Sequence, residues 1–310
     1  MRITRRGLEI ALGALWLIDG ALQFQPFMFT KEFFGDIVGM ATMGLPGPVS
    51  TVNLGIADVL VAHPVLFNTI FATVQVALGA GLLWPRTANL ARGVSIAWAL
   101  GVWMIGEGFG GLGMGGTGLL TGAPGAALIY AVLGLALWPS PHPGVTFQCR
   151  QWARYAWLVI WLGLAALEFE PLNHAAGVPA AQLANIGEGE PGWLAAMNSA
   201  VGSAFAGAGL LVAVLIGLCA AFVAIGVFDH RTRRAALIAG IVLAVFSGIF
   251  GQDLGGLLTG QATDPGTGPL LVLFALALWP ISRPQRIVET NIVSSPKESL
   301  ISPFGPVKVN

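Results

Sequence analysis

The stretch WLIDGALQFQP, Trp16 to Pro26, sets Asp19 and Gln23 four residues apart inside an apolar run, with Gln25 close behind. On a helix that spacing puts the carboxyl and the first amide on one face. The stretch WLGLAALEFEP, Trp161 to Pro171, repeats the phrase 145 residues later, with Glu168 and Glu170 at the amide positions and Leu164 in place of Asp19. A further polar point, Glu107, stands in GEGFGG, and its counterpart is Gln252, followed by Asp253. Carboxylates in apolar surroundings take up a proton or pair with a cation, so they can carry protons or bind cations. Equally, near a membrane surface they can face water or accept capping hydrogen bonds. The expected substrate-binding set is Asp19, Gln23, Gln25, Glu107, Glu168, Glu170, Gln252 and Asp253, with Asp19 and Asp253 as the proton or cation sites.

Other chemistries find less support. The glycines Gly108, Gly110 and Gly113 match G-x-G-x-x-G, but a dinucleotide site needs that pattern between a strand and a helix, and here it follows an apolar helix. Close packing, tight turns or a ligand-facing helix break explain it instead. His63 and His174 fall near the same ends as the carboxylates without metal-ligand spacing, while His142 and His230 fall in polar connections. No catalytic residue, metal site or cofactor is therefore assigned. Cys149 is polar-flanked and Cys219 lies in an apolar run, which argues against a disulfide.

The elements that must position these residues are membrane helices. Of 310 residues, 55% are hydrophobic and only 10% charged, well short of the roughly 25% charge usual in soluble domains. The formal net charge of zero leaves no field to recruit nucleic acid. Eight apolar segments are expected, at about 7–25, 60–84, 92–109, 121–138, 153–169, 199–228, 235–252 and 267–279. The fourth and eighth are short enough to be re-entrant or buried instead. The fold class expected is all-α, a polytopic integral membrane protein of about eight transmembrane helices in two parallel-orientation four-helix repeats. The units are residues 1–145 and 146–280, followed by a flexible cytoplasmic tail, 281–310.

Further pairs at the same separation support the repeat: Pro46-Gly47 with Pro191-Gly192, and Asn53 with Asn198, each asparagine read as a cap for the following helix. After a four-residue adjustment Pro124-Gly125 pairs with Pro265-Gly266. Arg2, Arg5, Arg6, Arg86 and Arg92 in the first half, and Arg150, Arg154, Arg231, Arg233 and Arg234 in the second, fall on one side. With the cations of the tail they place both termini in the cytoplasm and Lys31 opposite. Glu9 beside the amino-terminal arginines reads as a structural counter-charge.

The run from GALWLIDGALQF through FATVQVALGAGLLWPRTANLARGVSIAWALG resembles a DoxX/DoxD-type four-helix membrane unit, through its glycine-interrupted first helix, outer connection, and glycine-rich second helix ending in arginine-bearing sequence. The resemblance implies a small membrane bundle of the kind associated with quinone-linked redox systems. The repeated Q/E-F-Q/E-P phrase and GEGFGG depart from that family's pattern, and no catalytic residue is carried across.

The function expected from these features is an integral membrane permease or channel-like protein for protons, cations or a small polar solute, with a polar cavity between the repeats. The alternative is an accessory or structural membrane subunit, quinone-linked in one version. Partners expected are the lipid bilayer and either a membrane-protein complex or a homo-oligomer, in the cytoplasmic (inner) or plasma membrane.

Overall fold

The computed structural model describes residues 3–139, 151–175, 177–185 and 189–279. Arg2, His142, Cys149, Arg150, Pro280 and the tail 281–310 lie outside the described residues. The described chain is all-helical: α1 (Arg5–Leu22), α2 (Lys31–Thr42), α3 (Gly47–Ala62), α4 (Pro64–Leu83), α5 (Ala88–Ile105), α6 (Ala126–Ala136), α7 (Gln151–Leu167), α8 (Pro171–His174), α9 (Val178–Asn185), α10 (Gly192–Ala204), α11 (Gly209–Gly226), α12 (Arg233–Phe246), α13 (Asp253–Gly256) and α14 (Thr267–Ala277). A π-helical turn, Ser247–Gly251, continues α12.

Among the described residues, four helices are long and apolar enough to cross a membrane: α4, α5, α11, and α12 with its π turn. This overturns the expected eight spans in two four-helix repeats. The helices α6 and α14 have 11 residues each, a rise of about 16 Å against a hydrocarbon core of about 30 Å. Each is short because the glycine-rich segment before it leaves the helical conformation. Phe109 and Gly110 have φ of 60° and 69°, and Leu254 and Gly255, 145 residues on, have φ of 56° and 74°. A Cβ on Gly110 would strike the Pro124 carbonyl, so only glycine lets the two strands of that turn meet. The helix α1 carries four charged residues, Arg5, Arg6, Glu9 and Asp19, and α7 is 17 residues long. The protein is thus a largely helical, membrane-associated chain with several apolar helices.

Local signals set the boundaries. Thr4 Oγ1 accepts from Gly7 N at 3.0 Å to begin α1, and Thr30 Oγ1 accepts from Phe33 N at 3.2 Å to begin α2. Proline opens α4 and α8, where the missing N–H would be unpaired in any case. Pro64 divides the expected 60–84 segment between α3 and α4. Asn53 and Asn198 are not caps, as expected, but sit inside α3 and α10. There they tie α3 to the end of α5 and α10 to the start of α13: Asn53 Nδ2 donates to Met104 O at 3.2 Å, and Asn198 Nδ2 donates to Asp253 Oδ1.

Packing brings α1 onto α4, α7 onto α11, α5 onto α6 and α12 onto α14, with α6 and α14 in contact at the centre. Glycine permits the closest approach, since a Cβ on Gly79 would stand 2.8 Å from the Gly13 carbonyl. The core is aromatic and aliphatic: Trp157 and Trp161 are fully buried, with rings 5.3 Å apart.

At the other end of α1 from Asp19, Arg6 Nη1 donates to Leu82 O at 2.8 Å, which places a cation at the carbonyl end of α4. Glu9 there accepts from Arg92 Nη2 at 2.6 Å and lies within 3.3 and 3.4 Å of Arg5 and Arg6.

Candidate functional site

A cluster of polar side chains lines a cavity of about 430 Å³ between α1 and α6. Asp19 reaches it from α1 and Gln23 from the residue that caps that helix. Gln75 enters from α4, Tyr130 from α6, Glu107 from the end of α5, and Asp264 from the loop before α14. Apart from Thr263, the rest of the wall is apolar. The helix α2 contributes Phe33, Phe34, Ile37 and Val38, α4 adds Phe71, and α5 adds Trp98. These rings stand edge to face in sequence, with centroids 4.9 Å apart for Phe33 and Phe34, 5.8 Å for Phe34 and Phe71, and 5.3 Å for Phe71 and Trp98. The connection 26–58 is therefore one wall of the cavity.

The polar groups here are underused. Asp19 is only 2% exposed, yet its Oδ1 has no partner, and Gln23 Oε1 and Gln75 Oε1 are equally unpaired at 4% and 7% exposure. Glu107 Oε1 accepts from Ala127 N at 3.0 Å, holding the carboxyl at the start of α6, while its Oε2 is free. The indole N–H groups of Trp16 and Trp98 also lack partners, and the Tyr130 hydroxyl stands beside the Asp19 carboxyl. Native interiors leave few buried polar atoms unsatisfied, so this concentration marks the space as the candidate site. Asp264 is tethered instead: Thr263 Oγ1 donates to Oδ2 at 2.9 Å and Gly266 N to Oδ1 at 2.8 Å. Desolvation nonetheless raises its carboxyl above the usual carboxylate range, against the lowering effect of those two bonds.

A second cavity, about 640 Å³, is lined by the two glycine-rich segments and by Gln252 and Thr267. Glu107, Ala126, Thr263 and Asp264 line both spaces and so form the partition between them. Gln252 is fully engaged there, accepting from Thr267 N at 2.7 Å and donating to Ser247 Oγ at 2.7 Å.

Of the residues expected to bind substrate, the structure brings Asp19, Gln23 and Glu107 together and puts Gln252 on the far side of the partition. The others stand apart. Gln25 Nε2 donates to Ala262 O at 3.0 Å, and Glu168 Oε1 accepts from Leu119 N at 3.2 Å. Asp253 is held by Asn198, and Glu170 precedes α8 with its side chain making no cap. His63 ends α3, and His174 ends α8. No three His, Cys, Asp or Glu side chains converge on a metal position among the described residues.

The set expected from the sequence left out Gln75, Tyr130 and Asp264. A signal did exist: Asn68 and Gln75 share the buried face of α4 with Ala72, Gly79 and Leu82, and a polar group on such a face is a site candidate. The two halves also differ where it matters. At the positions that correspond by the 145-residue spacing, Asp19 faces Leu164, Gln75 faces Ala220 and Trp98 faces Leu243, and by the adjusted spacing Tyr130 matches Leu271. Leu164, Ala220 and Leu271 are buried core. The open cavity with its cluster of polar groups belongs to the first half, with Thr263 and Asp264 reaching in from the second. Comparison of the chain with protein-family models, with curated proteins and with solved structures finds no match.

Proposed function

We propose that the protein is an integral membrane permease that binds a cation in the cavity of Asp19, Glu107 and Asp264 in exchange for protons. The observation that carries this reading is Asp19, a nearly inaccessible carboxyl with a free oxygen, in a space whose described lining contains no Lys, Arg or His. Burying an unpaired carboxylate is costly, so such a group is neutralised by a proton or by a cation from outside. The two fillings exclude one another, which is the coupling an exchanger needs. Access from alternate sides would proceed through the partition of Glu107, Thr263 and Asp264. A small polar solute fits less well, because most of the wall is hydrocarbon.

The same reading takes the matched torsions at Phe109-Gly110 and Leu254-Gly255 as an internal repeat in which one copy kept the polar cavity and the other filled it. The arginine-rich loops after α4 and α11 favour a cytoplasmic position for those ends, for the start of α1, and hence for the amino terminus.

One observation favours a second reading, an accessory membrane subunit that holds a lipid-soluble quinone. Trp16 Nε1 and Trp98 Nε1 are unpaired donors on a mostly apolar wall.

Proteoliposomes enclosing a pH-sensitive dye test the exchange directly. An imposed gradient of the transported cation should move protons in the opposite direction, and Asp19→Asn or Glu107→Gln should abolish the signal while Glu168→Gln leaves it. Flux indifferent to Asp19 and Glu107 would exclude this site, and a stoichiometric quinone in the purified protein would support the second reading.

A further inference from the structure

We infer that the cation taken by the first cavity is an organic one with an apolar body, a quaternary or aromatic amine, rather than a metal ion. The inference rests on the cation-binding reading above and names its ligand class. Three features of the cavity argue for it. The first is the spread of the carboxyls. Asp19, Glu107 and Asp264 line one space, yet no three acidic or metal-ligating side chains converge closely enough to hold an ion among the described residues. A hard metal ion stripped of water requires about six oxygens at one point. Negative groups distributed along a wall suit a charge that is bulky and diffuse.

The second feature is the aromatic run Phe33, Phe34, Phe71 and Trp98, whose neighbouring rings contact at 4.9, 5.8 and 5.3 Å. Ring faces attract alkylated ammonium groups, which carry weak hydration and are cheaply desolvated. The third is size, since about 430 Å³ lies within the range of pockets for organic ligands and is far larger than a bare ion needs. The ammonium group would lie between the rings of α2, α4 and α5 and the Asp19 carboxyl, with the apolar body along the rest of the wall. The second cavity beyond Glu107 and Asp264 would supply the route for the charged end.

The test uses the full chain in lipid nanodiscs and equilibrium binding of tritiated benzyltrimethylammonium, whose neutral carbon isostere is neopentylbenzene. Saturable binding at one site per chain is expected, with neopentylbenzene a weaker competitor by about tenfold or more and sodium or potassium chloride without effect beyond ionic strength. Asp19→Asn should weaken binding by about tenfold or more. Phe71→Leu keeps the apolar bulk while removing the ring face, and should weaken the cation while sparing the neutral isostere. Glu168→Gln, off the cavity, should bind as the wild type does.

Equal competition by neopentylbenzene, or binding indifferent to Asp19, would overturn the inference. If sodium or potassium flux in proteoliposomes depends on Asp19 while benzyltrimethylammonium does not bind, the organic class fails and the exchange reading stands. If benzyltrimethylammonium binds as described but drives no proton movement, the ligand class stands and the transport reading fails.

Discussion

Glu9 Oε1 and Arg92 Nη2 meet at 2.6 Å between α1 and α5, with both side chains buried. Asp19, ten residues along the same helix, is buried as deeply and has no cationic side chain in its cavity. One helix thus carries two carboxyls under opposite conditions. The first is compensated within the fold, and its role is structural. The second keeps an oxygen without a hydrogen-bond partner.

The structural pair can be tested by removing one partner. Arg92→Leu leaves Glu9 with Arg5 and Arg6 only, both about a third exposed and free to turn to solvent. Breaking a buried pair in this way costs about 3–5 kcal/mol, whereas replacing both partners by apolar residues often costs little. Leucine is the natural choice because Leu237, 145 residues on from Arg92, is fully buried in the second half. Chemical unfolding in a single detergent should therefore rank wild type and Glu9→Leu/Arg92→Leu close together, with Arg92→Leu well below both. If the single and double variants unfold alike, the pair is not what Glu9 requires.

The turns before α6 and α14 should be sensitive to a single methyl group. A Cβ on Gly110 would overlap the Pro124 carbonyl, and one on Gly255 would overlap the Asp264 carbonyl, both at φ near +70°. Backbone strain and overpacking together should make Gly110→Ala and Gly255→Ala each lose about 2 kcal/mol or more. Gly163→Ala is the control, since nothing lies within 4 Å of its Cβ position and helix preference there changes stability by only about 1 kcal/mol. Thermal unfolding of the three variants side by side decides whether these turns fix the helix ends.

Much of the scaffold was legible in the sequence. Apolar runs marked the helices, and proline and glycine marked the breaks at Pro46-Gly47 and Pro191-Gly192. Asp19 and Glu107 stood out because an acid in an apolar run is conspicuous. The number of spans was not legible. Hydropathy weighs Gly108 to Gly125 as nearly apolar, while their torsions take the chain out of the helix and leave α6 with 11 residues. The cavity was hidden for a different reason. Its wall comes from α2, in a connection that periodicity treats as a loop, and from Asp264, 245 residues from Asp19 in sequence. Spacing also suggested equivalent halves, whereas Leu164 and Leu271 fill in the second half what Asp19 and Tyr130 leave open in the first.

Two amides on one face of α4 should respond in opposite ways. Asn68 Nδ2 donates to Gln23 O at 2.7 Å in full burial, so Asn68→Leu leaves a carbonyl unpaired and should cost about 1–3 kcal/mol. Gln75 Oε1 has no partner, so Gln75→Leu removes a desolvated group and should leave the empty protein as stable as before or about 1 kcal/mol more so. Binding should show the reverse order of harm, with Gln75→Leu weakening cation uptake. A ligand-free Gln75→Leu protein as damaged as Asn68→Leu would mean that Gln75 belongs to the scaffold.

The pH dependence should flatten when a cation is present. Desolvation raises the Asp264 carboxyl, so the folded protein holds that proton more tightly than the unfolded chain does. From the ordinary carboxylate range up to the raised value, the folded state therefore binds more protons, and stability falls as pH rises. Asp264→Asn removes this contribution and should make the empty protein's profile shallower. A bound cation acts in the other direction, because it requires the ionised form. Affinity for benzyltrimethylammonium should rise with pH through the same window, by up to about tenfold per unit for one group. Asp19, Glu107 and Tyr130 are the other titratable groups facing the two cavities, so Asp264→Asn should flatten the binding profile in part. Thermal unfolding across pH, with and without benzyltrimethylammonium, measures both slopes on one sample. Parallel slopes would mean that ligand and proton do not compete at this wall.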